Sequence, residues 1–536
     1  MRPPLWLRRA IRPFIPDVLM ATLRLREHSR HVRVNVDVVI DEPGRARRWL
    51  ATTPDTYRIR PTSSFGQPSR GDDVHVLSHL GPDIDERMMR VLADPGIGAV
   101  VFGAVDEPRL IDRRRAEPLV APVGAAVRSD LWAEIGGTDA MDLDVVWNLL
   151  RHSGSRIGLI PDADRSPQRR RPGESPTVIV LSAVPMHDVG GGSRGAQMAQ
   201  ELLHRGVRVV FVSLYPSAES IDLGLRFLHP GLEQYSLAEL PIEVLAGLEP
   251  LVLLEVPAPA YVEVVDALSA AGATVVFDLI DDWSDPALGG DWFDADVERR
   301  LVSAADLTVA SAPDLALRLE RLGAEPILIP NGVNQRIFGR DVSARPDDLP
   351  EADTPIIGYH GSLYGNWFDW EALSDVAERF DTSPIVIIGD DKAPRPTMPP
   401  NVVFLGLKPQ SELPAYLARF SVGLVPFVVS EPMHAVSPLK AFEYLASGVA
   451  VAAPPLRALE GIDGVYRAAS LTEAVRMAMD APRPDQNEAL MEHSWQARLR
   501  ILFSAAGLPW PEEVPPPVRI VSRPAVHYER AERRLR

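Results

Sequence analysis

The sequence predicts an α/β protein whose larger part is a pair of doubly wound, Rossmann-like domains facing a cleft. Three observations predict it. Short apolar runs alternate with helical patterns from Thr177 to Met479, as in βαβ units stacked around parallel sheets. The alternation is interrupted once, by the polar, proline-containing stretch 339–354, and then starts again. At 536 residues the chain has room for about three domains. The run RSPQRRRPGESP, dense in Arg, Pro and Ser and without apolar periodicity, sets everything before it apart as a separate unit.

In the first unit of the pair, Thr177–Ser182 reads as a strand, Ser193–Arg205 as a helix closed by Gly206, and Val207–Leu214 as the next strand. Pro250–Val256, Thr274–Leu279 and Leu307–Ala310 continue the sheet. The second unit has strands Ile356–Tyr359, Ile385–Ile388, Val402–Leu405, Gly423–Pro426 and Val449–Ala453. Its helices are Trp370–Phe380, Ser411–Arg419, Leu439–Ser447 and Leu471–Met479. The tail from Pro509 is rich in proline and then in charge, too poor in regular pattern for a domain. Ligands of such sheets bind at the carboxyl ends of the strands, so the cleft is where chemistry is expected.

Composition narrows the function. The balance of 56 basic and 73 acidic residues, a net charge of −17, argues against nucleic acid as a partner, so any bound phosphate must meet a local basic site. The absence of cysteine excludes disulfides, thiolate metal sites and thiol nucleophiles. No apolar stretch is long enough to span a membrane and no signal peptide is evident, so the expectation is a cytoplasmic protein. The segment Met1–Arg33 is basic, with eight arginines interleaved with Trp6, Leu7, Ile11, Phe14, Leu19 and Leu23. It can lie peripherally on the inner face of an anionic membrane, although Pro3, Pro4, Pro13 and Pro16 interrupt any long helix.

The segment Ser437–Gly448, SPLKAFEYLASG, carries the strongest chemical signal. Ser437 suits a helix N-cap and Pro438 the first helical position, which directs free N–H groups and the positive dipole end at the cleft as an anion site. Lys440 and Glu443 are three apart on one face, where an ammonium can meet a diphosphate and a carboxylate can accept two ribose hydroxyls. A surface salt bridge between the two is the competing reading. Lys392, Lys408 and Lys440 are the only lysines in an arginine-biased chain, which favours phosphate slightly.

With LIPNGVNQRIF at 328–338, IGYHGSLYGNWFDWEAL at 357–373 and VFDLIDDW at 276–283, this segment resembles retaining nucleotide-sugar glycosyltransferases of the GT-B fold. The resemblance spans roughly 176–508. It implies a donor domain at 346–508, an acceptor domain at 176–345, a nucleotide-sugar donor, a glycan or lipid-linked acceptor, and neither cofactor nor metal. By resemblance Glu443 holds the donor ribose, and the helix start Ser437, Pro438, Leu439 and Lys440 holds the diphosphate. The family often carries a further glutamate eight positions before the ribose-binding one, and here that position is Ala435. His434 and Glu431 are the polar neighbours that can replace it.

The run 190–195, GGGSRG, satisfies GxGxxG, but it does not directly follow a strand and lacks the later acidic residue of a dinucleotide site. The resemblance makes it a loop facing the donor through Gly191 and Gly192, and Gly361 is placed likewise after the strand ending at Tyr359. Asp278, Asp281 and Asp282 close a strand at the cleft, where Asp281 and Asp282 can orient acceptor hydroxyls or transfer protons. Helix capping before Trp283 is the alternative for at least one of them. His187 and His360 lie at strand ends and can contact the transferred sugar. Asn331–Gly332 reads as a turn at the interdomain edge.

Upstream, VGAAVRSDLWAEIGGTDAMDLDVVWNLLRHSGSRIGLIPDAD at 123–164 resembles the acceptor half of GT-A glycosyltransferases. The stretch matching that fold's Asp-x-Asp metal motif reads Leu77, Ser78, His79, Leu80. Without those carboxylates the metal-assisted departure of a diphosphate is lost. The expectation for 34–164 is therefore a truncated, degenerate GT-A-like α/β domain, with Asp139, Asp142 and Asp144 as acceptor contacts or a solvated loop. The full expectation is an arm 1–33, this domain, a linker 165–175, the GT-B pair 176–345 and 346–508, and a tail 509–536. Its function would be metal-independent transfer of a sugar with retained configuration, in cell-surface polysaccharide synthesis. A noncatalytic scaffold that binds saccharide or nucleotide sugar is the alternative, and an epimerase of the same fold a third.

Overall fold

The computed structural model describes residues 37–40, 58–61, 73–77, 88, 91–92, 97–103, 109–110, 122–137, 143–161 and 519–522. It also describes 177–512, except 215–224, 230, 238–239, 241, 246–248, 286–291, 341, 343, 364–366 and 390–394. The basic arm 1–33, the linker 165–175, Ser78, His79, Leu80, Asp139, Asp142 and the side chains of Asp144 and Glu431 lie outside the described residues. The chain divides into two compact units, one reaching to Gly173 and one from Glu174 onward.

The first unit is built on a sheet of β1 (Asp37–Ile40), β2 (Arg58–Pro61), β3 (Asp73–Leu77), β4 (Ile97–Gly103), β5 (Arg109–Leu110), β6 (Pro122–Arg128) and β7 (Arg156–Pro161). The strand order is β2-β1-β3-β6-β4-β7-β5, parallel in β1–β2, β1–β3 and β4–β7 and antiparallel where β6 lies between β3 and β4. Helices α1 (Ser129–Glu134) and α2 (Leu143–His152) bury Trp132 and Trp147 with Val127, Leu150 and Leu159 in its core. Residues 226–230 and 519–521 belong to this unit as well. The supposedly patternless tail supplies a strand (Arg519–Ser522) that pairs with Leu225–Leu228, because RIVS is a short β-favouring run among charges.

The second unit holds two parallel sheets, the doubly wound pair that the GT-B resemblance implies. The first consists of β8 (Thr177–Ser182), β9 (Arg208–Ser213), β11 (Leu232–Ser236), β12 (Leu251–Leu254), β13 (Thr274–Leu279), β14 (Leu307–Ala310) and β15 (Ile327–Leu328), with β10 denoting Leu225–Leu228. Its order is β11-β9-β8-β12-β13-β14-β15. Every residue of β8 is buried, which is why TVIVLS is a continuous apolar run and does not alternate. Helix α3 (Arg194–His204) follows β8, with Ser193 Oγ accepting from Ala196 N–H as its N-cap.

The second sheet consists of β16 (Ile356–His360), β17 (Ile385–Ile388), β18 (Val402–Gly406), β19 (Phe420–Leu424), β20 (Ala450–Ala453) and β21 (Val465–Arg467), in the order β18-β17-β16-β19-β20-β21. The strand expected at 423–426 runs over Phe420–Leu424, starting three residues earlier and ending two residues earlier, since Pro426 has no N–H to give the ladder. The helix expected over 411–419 is a 3₁₀ turn at Gln410–Glu412 followed by α4 (Leu413–Leu417), restarted by Pro414 in its first turn. Helix α5 (Leu439–Ala446) enters the sheet layer after β19. The closing helix α6 (Trp495–Ala505) returns to the first sheet's side, where Gln496 Oε1 accepts from Arg205 Nη2 at 2.8 Å.

Candidate functional site

Each parallel sheet has one crevice where its strand order reverses, between β8 and β12 in the first and between β16 and β19 in the second. Side chains at the carboxyl ends of those strands are the natural ligand contacts.

In the second crevice, β16 ends at His360 and the chain turns through Gly361, whose φ of +132° suits glycine. A Cβ there would lie 2.9 Å from Lys440 Cε, so the glycine also makes room for the lysine. Helix α5 begins one residue later than the sequence suggests. Pro438, with ψ of 109°, is the N-cap, Leu439 is the first helical residue, and no side chain caps the helix. The capping role expected of Ser437 is therefore corrected. Its Oγ accepts from Asn331 N–H at 3.2 Å and its carbonyl from Asn331 Nδ2 at 2.6 Å, so Ser437 ties the helix start to the β15–β16 connection.

Lys440 lies near the uncapped start of α5. Its Nζ sits 4.6 Å from the Phe427 ring centre and 5.4 Å from that of Tyr359, and it forms no ion pair among the described residues. Burial pushes its pKa down to about 8, against the opposing pull of the Glu443 charge. Glu443 is buried one turn on. Gln410 Nε2 donates to its Oε1 at 2.5 Å, and its Oε2 lies 3.3 Å from His360 Nε2. Burial raises Glu443 to about 7, against the Gln410 hydrogen bond and the Lys440 charge, and holds His360 down to about 3, where Lys440 adds to the effect. His360 is thus neutral, and its Nε2 has no hydrogen-bond partner among the described residues. The Lys440–Glu443 salt bridge that competed for these residues is not formed.

The first crevice is acidic and largely paired. Arg194, at the start of α3, grips Asp278 through Nε at 2.8 Å and Nη2 at 3.0 Å, and donates Nη1 to Asn331 Oδ1 at 3.0 Å. Glu255 follows β12, fully buried, with Oε1 unpartnered among the described residues. Its carboxylate leaves no space for a side chain on Gly195, where a Cβ would come within 2.7 Å of Oε2. Burial and then the Asp278 charge raise Glu255 to about 7. Asp281 is raised to about 7 by burial and by Asp282. Asp282 itself is engaged in a turn: its Oδ1 accepts from Ser284 N–H at 3.1 Å and pairs with Arg318 Nη1 at 3.2 Å. His187 lies half-buried in the turn after β8. Gly191 closes the 3₁₀ turn Asp188–Gly191 and Gly192 precedes the Ser193 cap; the Gly191 carbonyl accepts from Gln197 Nε2 at 2.5 Å. No three His, Asp or Glu side chains converge as metal ligands among the described residues.

The structure therefore gathers His360, Gly361, Lys440 and Glu443 around one crevice. Asp281 and Asp282 lie at the end of β13, beside the other. Sequence reasoning missed Glu255, Arg194, Gln197 and Gln410, and read Asn331 only as a turn. A signal existed in α3, where Arg194, Gln197 and Glu201 repeat at helical spacing. Such a stripe reads as a solvated face, yet all three are buried.

No family model matches the chain. Over 194 residues it is 25% identical to a Bacillus subtilis (strain 168) protein named "Putative teichuronic acid biosynthesis glycosyltransferase TuaH", covering 32% of this chain. The match takes in 48% of the relative, so the chain spans about half the length of the curated protein it matches. Among solved structures, the sucrose-phosphate synthase of Thermosynechococcus elongatus is 17% identical with a TM-score of 0.46, over 61% of this chain and 100% of that one. Anabaena Alr3699/HepE in complex with UDP-glucose is 15% identical with a TM-score of 0.44, over 62% of this chain and 100% of that one. Among the described residues no helix is long and apolar enough to cross a membrane.

Proposed function

We propose that this protein is a glycosyltransferase that moves a sugar from a nucleotide donor to a glycan or lipid-linked acceptor hydroxyl. The observation that carries the reading is Lys440, an ammonium without an anionic partner beside an uncapped helix start, with the buried Glu443 carboxyl one turn away. A cation left unpaired and partly desolvated beside free N–H groups is suited to a diphosphate. As the glycosidic bond opens, the diphosphate gains negative charge, which the helix start and Lys440 offset. Metal independence is part of the proposal: this electrostatic pair does the work a divalent ion would do.

Glu443 is the ribose contact in this reading, and Asp281, with its pKa near neutrality, is suited to take the acceptor hydroxyl's proton. Retention of configuration rests on the resemblance, and cell-surface polysaccharide synthesis on the resemblance and the teichuronic acid name of the Bacillus subtilis relative. The degenerate GT-A-like reading of 34–164, and a peripheral position on the membrane through the arm 1–33, belong to the same proposal.

One observation favours the scaffold alternative. Ala435, where the family often has a glutamate, is buried and packs into the apolar core of the first sheet, so no charged group replaces that glutamate at its own position. The two readings separate on turnover. The experiment is thermal shift with UDP-, GDP- and dTDP-sugars in EDTA, wild type beside Glu443→Ala, followed by nucleotide release from any hit. A donor that stabilises the wild type, binds the variant tenfold to about a hundredfold less tightly, and is slowly hydrolysed supports the transferase. Binding without release supports the scaffold, and no stabilisation by any nucleotide sugar overturns the transferase and leaves the scaffold reading.

A further inference from the structure

The carboxylate proposed to hold the ribose is itself held from the other domain. Gln197, one turn into α3, donates Nε2 to the Gly191 carbonyl at 2.5 Å and also to Gln410 Oε1. Gln410, in the 3₁₀ turn before α4, donates its own Nε2 to Glu443 Oε1 at 2.5 Å. All three side chains are buried. Gly190 backs directly onto the Lys408 carbonyl, so the glycine-rich loop and the 408–410 segment are in contact as well. Three residues before Gln197, on the same helix face, Arg194 reaches Asn331, which binds Ser437 at the start of α5. Helix α3 thus grips α5 at two points through polar intermediaries.

We propose that Gln410 and Gln197 are positioning residues of the donor site: a two-amide relay that presents Glu443 to the ribose and links its occupancy to the loop at 190–192. This rests on the donor reading above. An amide in this position has a defined job. Its N–H₂ fixes one carboxylate oxygen and leaves the remaining lone pairs for ligand hydroxyls, and its carbonyl is oriented in turn by Gln197. A core apolar residue at 410 could fill the same space but could not aim the carboxylate. The Gln410 hydrogen bond also favours the ionised form of Glu443 against the burial that opposes it.

The test is titration of the full chain with UDP, GDP and dTDP, each as the free nucleotide, from pH 5.5 to 8.5. It compares wild type, Gln410→Ala, Gln410→Leu, Gln197→Ala and the double variant, each checked for a native unfolding midpoint. The expected result is that the nucleotide bound by the wild type binds both Gln410 variants roughly tenfold more weakly. The pH at which affinity is half-maximal should move upward, because Glu443 loses the bond that favours its ionised form. Gln197→Ala should lose less, and adding it to Gln410→Ala should cost nothing more, since it acts through Gln410. Unchanged affinity and an unmoved pH midpoint in the folded Gln410 variants overturn the relay while leaving the donor site standing. A wild type that binds none of the three nucleotides overturns the donor reading, and the relay with it.

Discussion

The two parallel sheets of the second unit present the same crevice twice, and the electrostatics differ. Between β8 and β12 the buried cation Arg194 is bound bidentately to Asp278, and the surplus groups are the carboxyls Glu255 and Asp281. Between β16 and β19 the cation Lys440 forms no ion pair among the described residues, and the neighbouring carboxyl is held by an amide. A buried bidentate pair satisfies itself and holds backbone in place. An unpaired lysine whose pKa is lowered by burial has a cost that only an arriving anion removes. In the reading proposed above, the same topology serves as a strut in one sheet and a receptor in the other.

The largest effect that can break this comparison is on stability. Arg194→Ala leaves the Asp278 side chain buried without its partner beside Glu255 and Asp281, and frees Asn331 Oδ1. The expected loss is about 3–5 kcal/mol in urea unfolding. A loss below about 1 kcal/mol would mean that the first crevice is not held by its charge pair, and the contrast between the two sites would fail. Glu255 gives the next effect. Its pKa of about 7 in the folded chain lies above its ordinary value of 4.5, so the native state keeps the proton longer than the unfolded one. Its contribution to stability therefore falls as pH rises from about 4.5 to 7 and stays low above that. Glu255→Gln is expected to flatten this dependence, gaining up to about 3 kcal/mol at pH 8 and little at pH 4.5. An unaltered stability profile against pH would show that Glu255 titrates alike in the folded and unfolded chain.

Lys440→Met sharpens the other side. The ammonium forms no ion pair among the described residues and its charge only opposes the rise in the Glu443 pKa, so the unfolding midpoint should move little, in contrast to Arg194→Ala. Nucleoside diphosphate affinity should fall by about tenfold to a hundredfold, the worth of a charged hydrogen bond. In the wild type, affinity should also fall as pH rises through about 8, where the lysine loses its proton. A variant that binds as tightly as the wild type would remove Lys440 from the site.

Much of the architecture was legible, because parallel strands buried on both faces advertise themselves as apolar runs. Thr177–Ser182, Thr274–Leu279, Leu307–Ala310 and Ile385–Ile388 have the bounds that the sequence suggests. At two places where bounds slipped, a proline decided: Pro426 ended a strand early and Pro414 split a helix. That Lys440 and Glu443 share a helix turn was legible through local spacing. The rest depends on contacts between residues far apart in the chain. Ser437 looks like a cap until Asn331, 106 residues away, claims it. Gln197 and Gln410 are 213 residues apart, and nothing local distinguishes either from a solvated glutamine. Glu255 sits in a run, LLEVPAP, whose only mark is one acid where a buried strand ends.

The smallest effect separates two adjacent aspartates that the sequence could not tell apart. Asp282 has its Oδ1 committed to the Ser284 N–H and to Arg318, an arrangement that shapes the turn after β13. Asp281 carries the raised pKa of a carboxyl without such support. Asp282→Ala should therefore lower stability by only about 0.5–1 kcal/mol and leave nucleotide affinity and turnover as they are. Asp281→Asn should reduce turnover with stability unchanged or improved above pH 7, where the charge it removes is unfavourable. If instead Asp282→Ala abolishes turnover in a chain of native stability, the acceptor chemistry lies on the turn itself. The first crevice would then be a receptor too, and the division of labour between the two sheets would have to be redrawn.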